Sequence, residues 1–190
     1  MQGFAYFPTI IYRIELPQLV EESQASAEDF YFDSVNNGAI VVQTSNMTED
    51  PRVKDLIRLI QKTAKGVLDA QGYDTSAVRL EVSDLWAQKM EYSGSNVLHV
   101  HANKLLSGFY FLEVPEKSGY PLFCDPRAGK LMSDLPLKQS SDITPATPFI
   151  HFDNVMRGTM LIFNSWLGHS MTFHGSPDPL KFIHFNVKQI

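Results

Sequence analysis

The chain has 190 residues, enough for one domain with a sizeable core, and its balance of 44% hydrophobic to 19% charged residues is that of an ordinary soluble globular protein. A net charge of −5 and scattered basic residues argue against nucleic acid as a partner. Cys124 is the only cysteine, which excludes an internal disulfide framework, and no apolar run reaches membrane-spanning length. The opening Met1-Gln2-Gly3-Phe4-Ala5 lacks the basic start and apolar stretch of a signal peptide, so the expectation is a cytoplasmic protein with no membrane partner.

Phe7 to Ile14 is β-rich and predicts an early strand. Glu21 to Glu28 suits a short helix. Phe30-Tyr31-Phe32 and Ala39 to Val42 read as short extended pieces separated by the turn signal Asn36-Asn37-Gly38. A clear helix follows: Asp50 caps it, Pro51 opens it and Gly72 stops it. Val53, Leu56, Ile57, Ile60, Ala64, Val67 and Leu68 recur along it at helical spacing, as a packing stripe does.

From Val78 the pattern turns extended. Strands are expected at Val78–Val82, Leu85–Tyr92, Val97–His101, Leu105–Val114 and Tyr120–Cys124. Residues 126–147 read as a long polar loop that could wall or cover a site. Strands resume at Phe149–Phe152, Gly158–Asn164 and Phe182–Val187. The fold class is therefore mostly β: a jelly roll of double-stranded β-helix or cupin-like type with a supporting N-terminal helix. Residues 1–190 form one domain, with helical support over about 50–72 and a β core over about 78–190. Exposed sheet edges leave room for a homodimer.

The chemistry is concentrated in the histidines. His99 and His101 flank Val100, and side chains two apart on a strand share a face. His169, from a distant apolar stretch, can complete three ligands on one side of a metal, leaving positions open for substrate or oxygen. Burying two neighbouring imidazoles without a partner is costly, and a divalent metal satisfies one nitrogen of each. His151, His174 and His184 are read as hydrogen-bonded core or half-exposed residues, with His184 the foremost candidate for an exception. Cys124, in Leu122-Phe123-Cys124, reads as a small buried hydrophobe.

Several motifs recur in order around these residues. They are His99-Val100-His101, Leu106-Ser107-Gly108-Phe109-Tyr110-Phe111-Leu112, Pro115, and Phe123-Cys124-Asp125-Pro126-Arg127. Later come Gly158 through Phe163-Asn164-Ser165-Trp166-Leu167-Gly168-His169 and the closing Phe185-Asn186. Together with Phe7-Pro8-Thr9, the set resembles a group of Fe(II)/2-oxoglutarate oxygenases. That group carries His-x-His-Pro, Ser-Gly-x-Tyr-Tyr, Asp-Pro-Arg, Phe-Pro-Ser-Trp-Leu-x-His and Ser-Phe-Asn in this order.

The resemblance implies a double-stranded β-helix with iron between its sheets, held by His99, His101 and His169. His101 occupies a position where the wider superfamily often has a carboxylate, so the implied set is three neutral ligands. Asn103 is a weaker second-ligand candidate, because an amide binds iron poorly. The cosubstrate 2-oxoglutarate would be anchored by a basic residue on the last strand and a tyrosine. The group's basic position falls on Leu180 here, and the second tyrosine of Ser-Gly-x-Tyr-Tyr is Phe111. Lys181 and Tyr110 would serve if a bulge corrects the register, and Arg127 and Lys104 are substitutes. The group's proline before Ser165 is Asn164 here, a change expected to affect the turn before His169. Trp166 is expected to pack beside the site.

The function implied is an iron- and 2-oxoglutarate-dependent dioxygenase hydroxylating a small molecule or a protein. Two readings stand beside it: a three-histidine cupin-type metal enzyme that does not use 2-oxoglutarate, and a non-catalytic β-helix binding protein.

Overall fold

Among the described residues, ten strands form two antiparallel sheets. The computed structural model describes residues 7–33, 39–127, 135–138 and 143–190. The larger sheet runs in the order β1(Ile11–Glu15), β8(Thr159–Asn164), β5(Leu106–Glu113), β10(Leu180–Gln189), β3(Leu80–Met90) and β2(Val41–Gln43). The smaller has the order β4(Asn96–His99), β9(His169–Met171), β6(Pro121–Cys124) and β7(Phe149–His151). The two sheets face each other as a double-stranded β-helix.

Side-chain alternation divides the larger sheet into two faces. Tyr110, Leu112, Ile183 and Phe185 point outward into a core shared with two helices, α1(Val20–Asp33) and α2(Lys54–Ala70). Phe109, Phe111, Leu180 and Phe182 point inward, where they meet Phe123 and Met171 of the smaller sheet. A bulge between β3 and β10 pairs Asn186 with Asp84 but Val187 with Val82. The extra residue, Ser83, lets Val82 and Leu85 both face the helices while Trp86, Gln88 and Met90 turn inward. At Gly108 the neighbouring chains come too close for a side chain: a Cβ would run into the Phe185 ring and the Leu161 carbonyl.

The helix expected over 50–72 begins with a 3-10 turn, Pro51–Val53, and continues as α2. The Asp50 carboxylate accepts from the Arg52 N–H at 2.8 Å, and Leu56, Ile60, Ala64, Val67 and Leu68 are buried. Asp50 also accepts from Ser26 Oγ at 2.9 Å, and Arg52 reaches Asp29, so the cap fastens α2 to α1.

Two expectations change. Phe30-Tyr31-Phe32 belongs to α1, not to a strand, because Val20, Ala27 and Tyr31 pack along one helix face. The two pieces expected at 78–82 and 85–92 are one strand, β3, carried through the bulge. Met1 to Ala5, the turn Asn36-Asn37-Gly38 and much of the expected loop 126–147 lie outside the described residues. Among the described residues, no helix is long and apolar enough to cross a membrane.

Candidate metal centre

His99 ends β4 and His169 opens β9, and the two are direct partners in the antiparallel register. His101 follows just beyond β4, where its N–H donates to the Ser165 carbonyl at 3.0 Å. One ring nitrogen from each of the three lies within 4.8 Å of the others. The ring centroids are 5.0 Å apart for His99 and His101, 4.4 Å for His99 and His169, and 5.2 Å for His101 and His169.

The tautomers follow from the hydrogen bonds. Nδ1 of His99 lies 2.8 Å from the Val97 carbonyl, and Nδ1 of His169 lies 2.9 Å from the Leu167 carbonyl. A carbonyl only accepts, so both Nδ1 atoms carry a proton, and in the neutral ring this tautomer leaves the lone pair on Nε2. Nε2 of His101 and of His169 are buried without a hydrogen-bond partner. Burial pushes both rings down to about 4, with like charge from the neighbouring histidines acting in the same direction. They are neutral at pH 7, as metal ligands must be. Convergent, unpaired lone pairs cost free energy unless something meets them, and a divalent cation does. Among the described residues no carboxylate joins the group, so the donor set is three imidazoles that leave further positions open.

Aromatic rings enclose the centre. Phe109 and Phe163 meet the His169 ring nearly edge-on at 5.7 and 4.7 Å. On the inner face of β10, His184 is buried with both ring nitrogens unpartnered. It stacks on Trp86 at 4.4 Å and lies 4.6 Å from His101. Burial holds its pKa well below the ordinary imidazole range. A cavity of about 310 Å³ opens here, lined by His99, His101, His184 and Trp86 together with Gln43, Gln88 and Asn96.

The other histidines are satisfied elsewhere. His174 is buried, donates from Nε2 to the Asp178 carbonyl and accepts from the Gly119 N–H. His151 is exposed beside Tyr120.

The expected cosubstrate anchors do not reach the cavity. Lys181 follows Leu180 on β10, and alternation turns it outward to ion pairs with Glu28 at 2.7 Å and Glu113 at 2.9 Å. A bulge does occur beside it, between β10 and β5, but it does not bring Lys181 inward. Tyr110 also faces outward, where its hydroxyl donates to the Leu16 carbonyl at 2.7 Å. Arg127 is exposed and paired with Asp125. Lys104 pairs with Asp84 at 2.6 Å. Asn103 is exposed in a left-handed turn, and Leu180 is fully buried on the inner face. Trp166 is 53% exposed and does not pack into the site, and Cys124 is only half-buried. The stack of Trp86 on His184 and the amides of Gln88 and Asn96 have no local sequence signal, because strand pairing over long range brings them together.

The model of the family described as "Putative 2OG-Fe(II) oxygenase" matches residues 84–186, more than half of the chain and all of the histidine centre. The chain belongs to the 2OG-Fe(II) oxygenase family. Iron(II) and 2-oxoglutarate are the metal and cosubstrate of this family, which makes the protein a non-haem iron oxidoreductase. Solved structures share the fold at low identity. HygX from Streptomyces hygroscopicus, crystallised with nickel, 2-oxoglutarate and hygromycin B, is similar with a TM-score of 0.63 at 13% identity, over 95% of this chain and 83% of that one. A Pseudomonas putida prolyl-4-hydroxylase is similar with a TM-score of 0.62 at 9% identity, over 96% and 89%. The collagen prolyl hydroxylase of Paramecium Bursaria Chlorella virus-1, in its 2OG complex, gives 0.53 at 13% identity, over 95% and 96%. No curated protein matches the chain in sequence.

The residues present fit the metal. For the far carboxylate of 2-oxoglutarate the fit is incomplete, since no lysine or arginine among the described residues lines the cavity.

Proposed function

We propose that His99, His101 and His169 hold iron(II), and that the protein hydroxylates a C–H bond of a small molecule or a protein side chain brought to the open face of this centre. The convergence of three imidazole ring nitrogens within 4.8 Å, inside the segment that matches the family, carries this reading. When bound, the metal and its 2-oxo acid supply oxygen activation: one oxygen atom goes to the acid, which leaves as succinate and carbon dioxide, and the other to the substrate.

The chain's own residues do the positioning. The carbonyls of Val97 and Leu167 hold the His99 and His169 rings by Nδ1, so each Nε2 is aimed without further reorganisation. Phe109, Phe163 and Phe123 exclude water behind His169. Val97, Leu98 and Val100 are each more than half exposed around the histidine pair. This rim suits an apolar portion of the substrate beside the bond that is oxidised.

Anaerobic titration with iron(II), with and without 2-oxoglutarate, tests the reading, with His169→Ala run in parallel. A visible charge-transfer band that requires both additions and is lost in the variant is expected. Iron retained undiminished by His169→Ala would overturn the ligand assignment.

A further inference from the structure

The cavity beside the histidines has a second end with its own chemistry. Along β3, Gln88 lies two residues beyond Trp86, about 7 Å farther from the point where Trp86 stacks on His184. Gln88 Nε2 donates to Gln43 Oε1 at 3.0 Å, and Asn96 Nδ2 donates to Gln88 Oε1 at 2.8 Å. Three amides therefore close this end, already linked to one another. Ser170 lines the same cavity.

No cation faces these amides among the described residues. Lys89 follows Gln88 on β3 but turns to the other face, where it pairs with Glu91 at 2.6 Å. Lys181 is held by Glu28 and Glu113, and Lys104 by Asp84. The inner positions of β10 at this level are Leu180 and Phe182, both fully buried and apolar. A carboxylate here would find neutral N–H groups, two of them engaged within the chain of amides. With no cation in the cavity lining, the cost of desolvating an unpaired carboxylate is set against the stronger hydrogen bonds it accepts, so such a tail gains little from its charge.

We propose that this cavity accepts 2-oxo acids by their chelating end and a polar tail, with little preference for a charged tail over a neutral one. Gln88 and Asn96 are the specificity-determining residues. The proposal rests on the three-histidine reading of the centre and adds to it a broader class of cosubstrate.

The test compares 2-oxoglutarate with its 5-methyl ester, which removes the far charge and keeps the chelating end. Iron(II)-loaded protein is titrated anaerobically with each acid, and dissociation constants are read from the chelate's charge-transfer band and by calorimetry, without turnover. The two constants are expected to agree within about tenfold, and Gln88→Lys to shift their ratio about tenfold toward 2-oxoglutarate. A preference of the unaltered protein for 2-oxoglutarate above about a hundredfold would overturn the proposal, as would a ratio unmoved by Gln88→Lys. Iron bound with neither acid held also overturns it, and leaves the metal centre standing. Absence of iron binding overturns the centre and this proposal together.

Discussion

His99 and His169 stand directly opposite each other across the β4–β9 ladder, and each ring is tied at Nδ1 to the carbonyl two residues before it. The pair is thereby aimed before any metal arrives. Removing either ring takes away one of three donors and leaves the others oriented. His99→Ala and His169→Ala are each expected to lower iron(II) affinity by at least about a hundredfold with the fold retained, and iron content after desalting measures it.

Metal should also pin β4 to β9 within the smaller sheet, because its ligands come from these two strands and the turn after β4. At a free iron(II) concentration near 100 times Kd, binding contributes about 2.7 kcal/mol, or roughly 5–10 °C in Tm for a chain of this size. Anaerobic thermal unfolding should show this gain, a chelator should reverse it, and His169→Ala should lack it.

The acid response has a defined direction. Burial lowers His101 and His169 from 6.5 to about 4, so between these pH values the unfolded chain binds protons that the folded chain refuses. The stability associated with these rings is complete above about pH 6.5 and is lost as pH falls toward 4. Denaturant midpoints of the metal-free protein should fall across this window. A flat profile there would contradict the assignment of neutral, buried rings.

Much of the centre was legible from spacing alone. Histidines two apart flanking a valine and another after an apolar strand are costly to bury singly, and the structure brings their nitrogens together. The strict alternation of a strand also makes Lys181 face away from Leu180, and its ion pairs with Glu28 and Glu113 are the physical outcome. Other parts left no local trace. Phe30-Tyr31-Phe32 has the composition of a strand, yet the spacing of Val20, Ala27 and Tyr31 against the sheet makes it helical. The three-residue strand β9 is too short for any periodicity to reveal. The stack of Trp86 on His184 depends on the register of β3 against β10, which no window of sequence contains.

Ser107 and Asn186, from the two strands flanking the centre, share a buried hydrogen bond of 2.7 Å, and Ser107 also meets Ser165 at 2.8 Å. Asn186→Ala would leave the Ser107 hydroxyl with Ser165 in place of its amide acceptor and remove the link from Asn186 to Asp84. A loss of about 1–3 kcal/mol is expected, read from the denaturant midpoint, with the iron ligands themselves unaltered.

The clasp formed by Asp50, Ser26 and Arg52 has a kinetic consequence. Ser26 and Asp50 are 24 residues apart, whereas Asn186 reaches back 102 residues to Asp84 and 79 to Ser107. Closing the short loop is entropically cheaper, so the paired helices can assemble while β10 is still unplaced. The last long strand to enter carries His184 and lies between β3 and β5, so competence to take up iron should emerge only in the final phase of refolding, after helical signal has returned, as stopped-flow circular dichroism beside metal uptake would record.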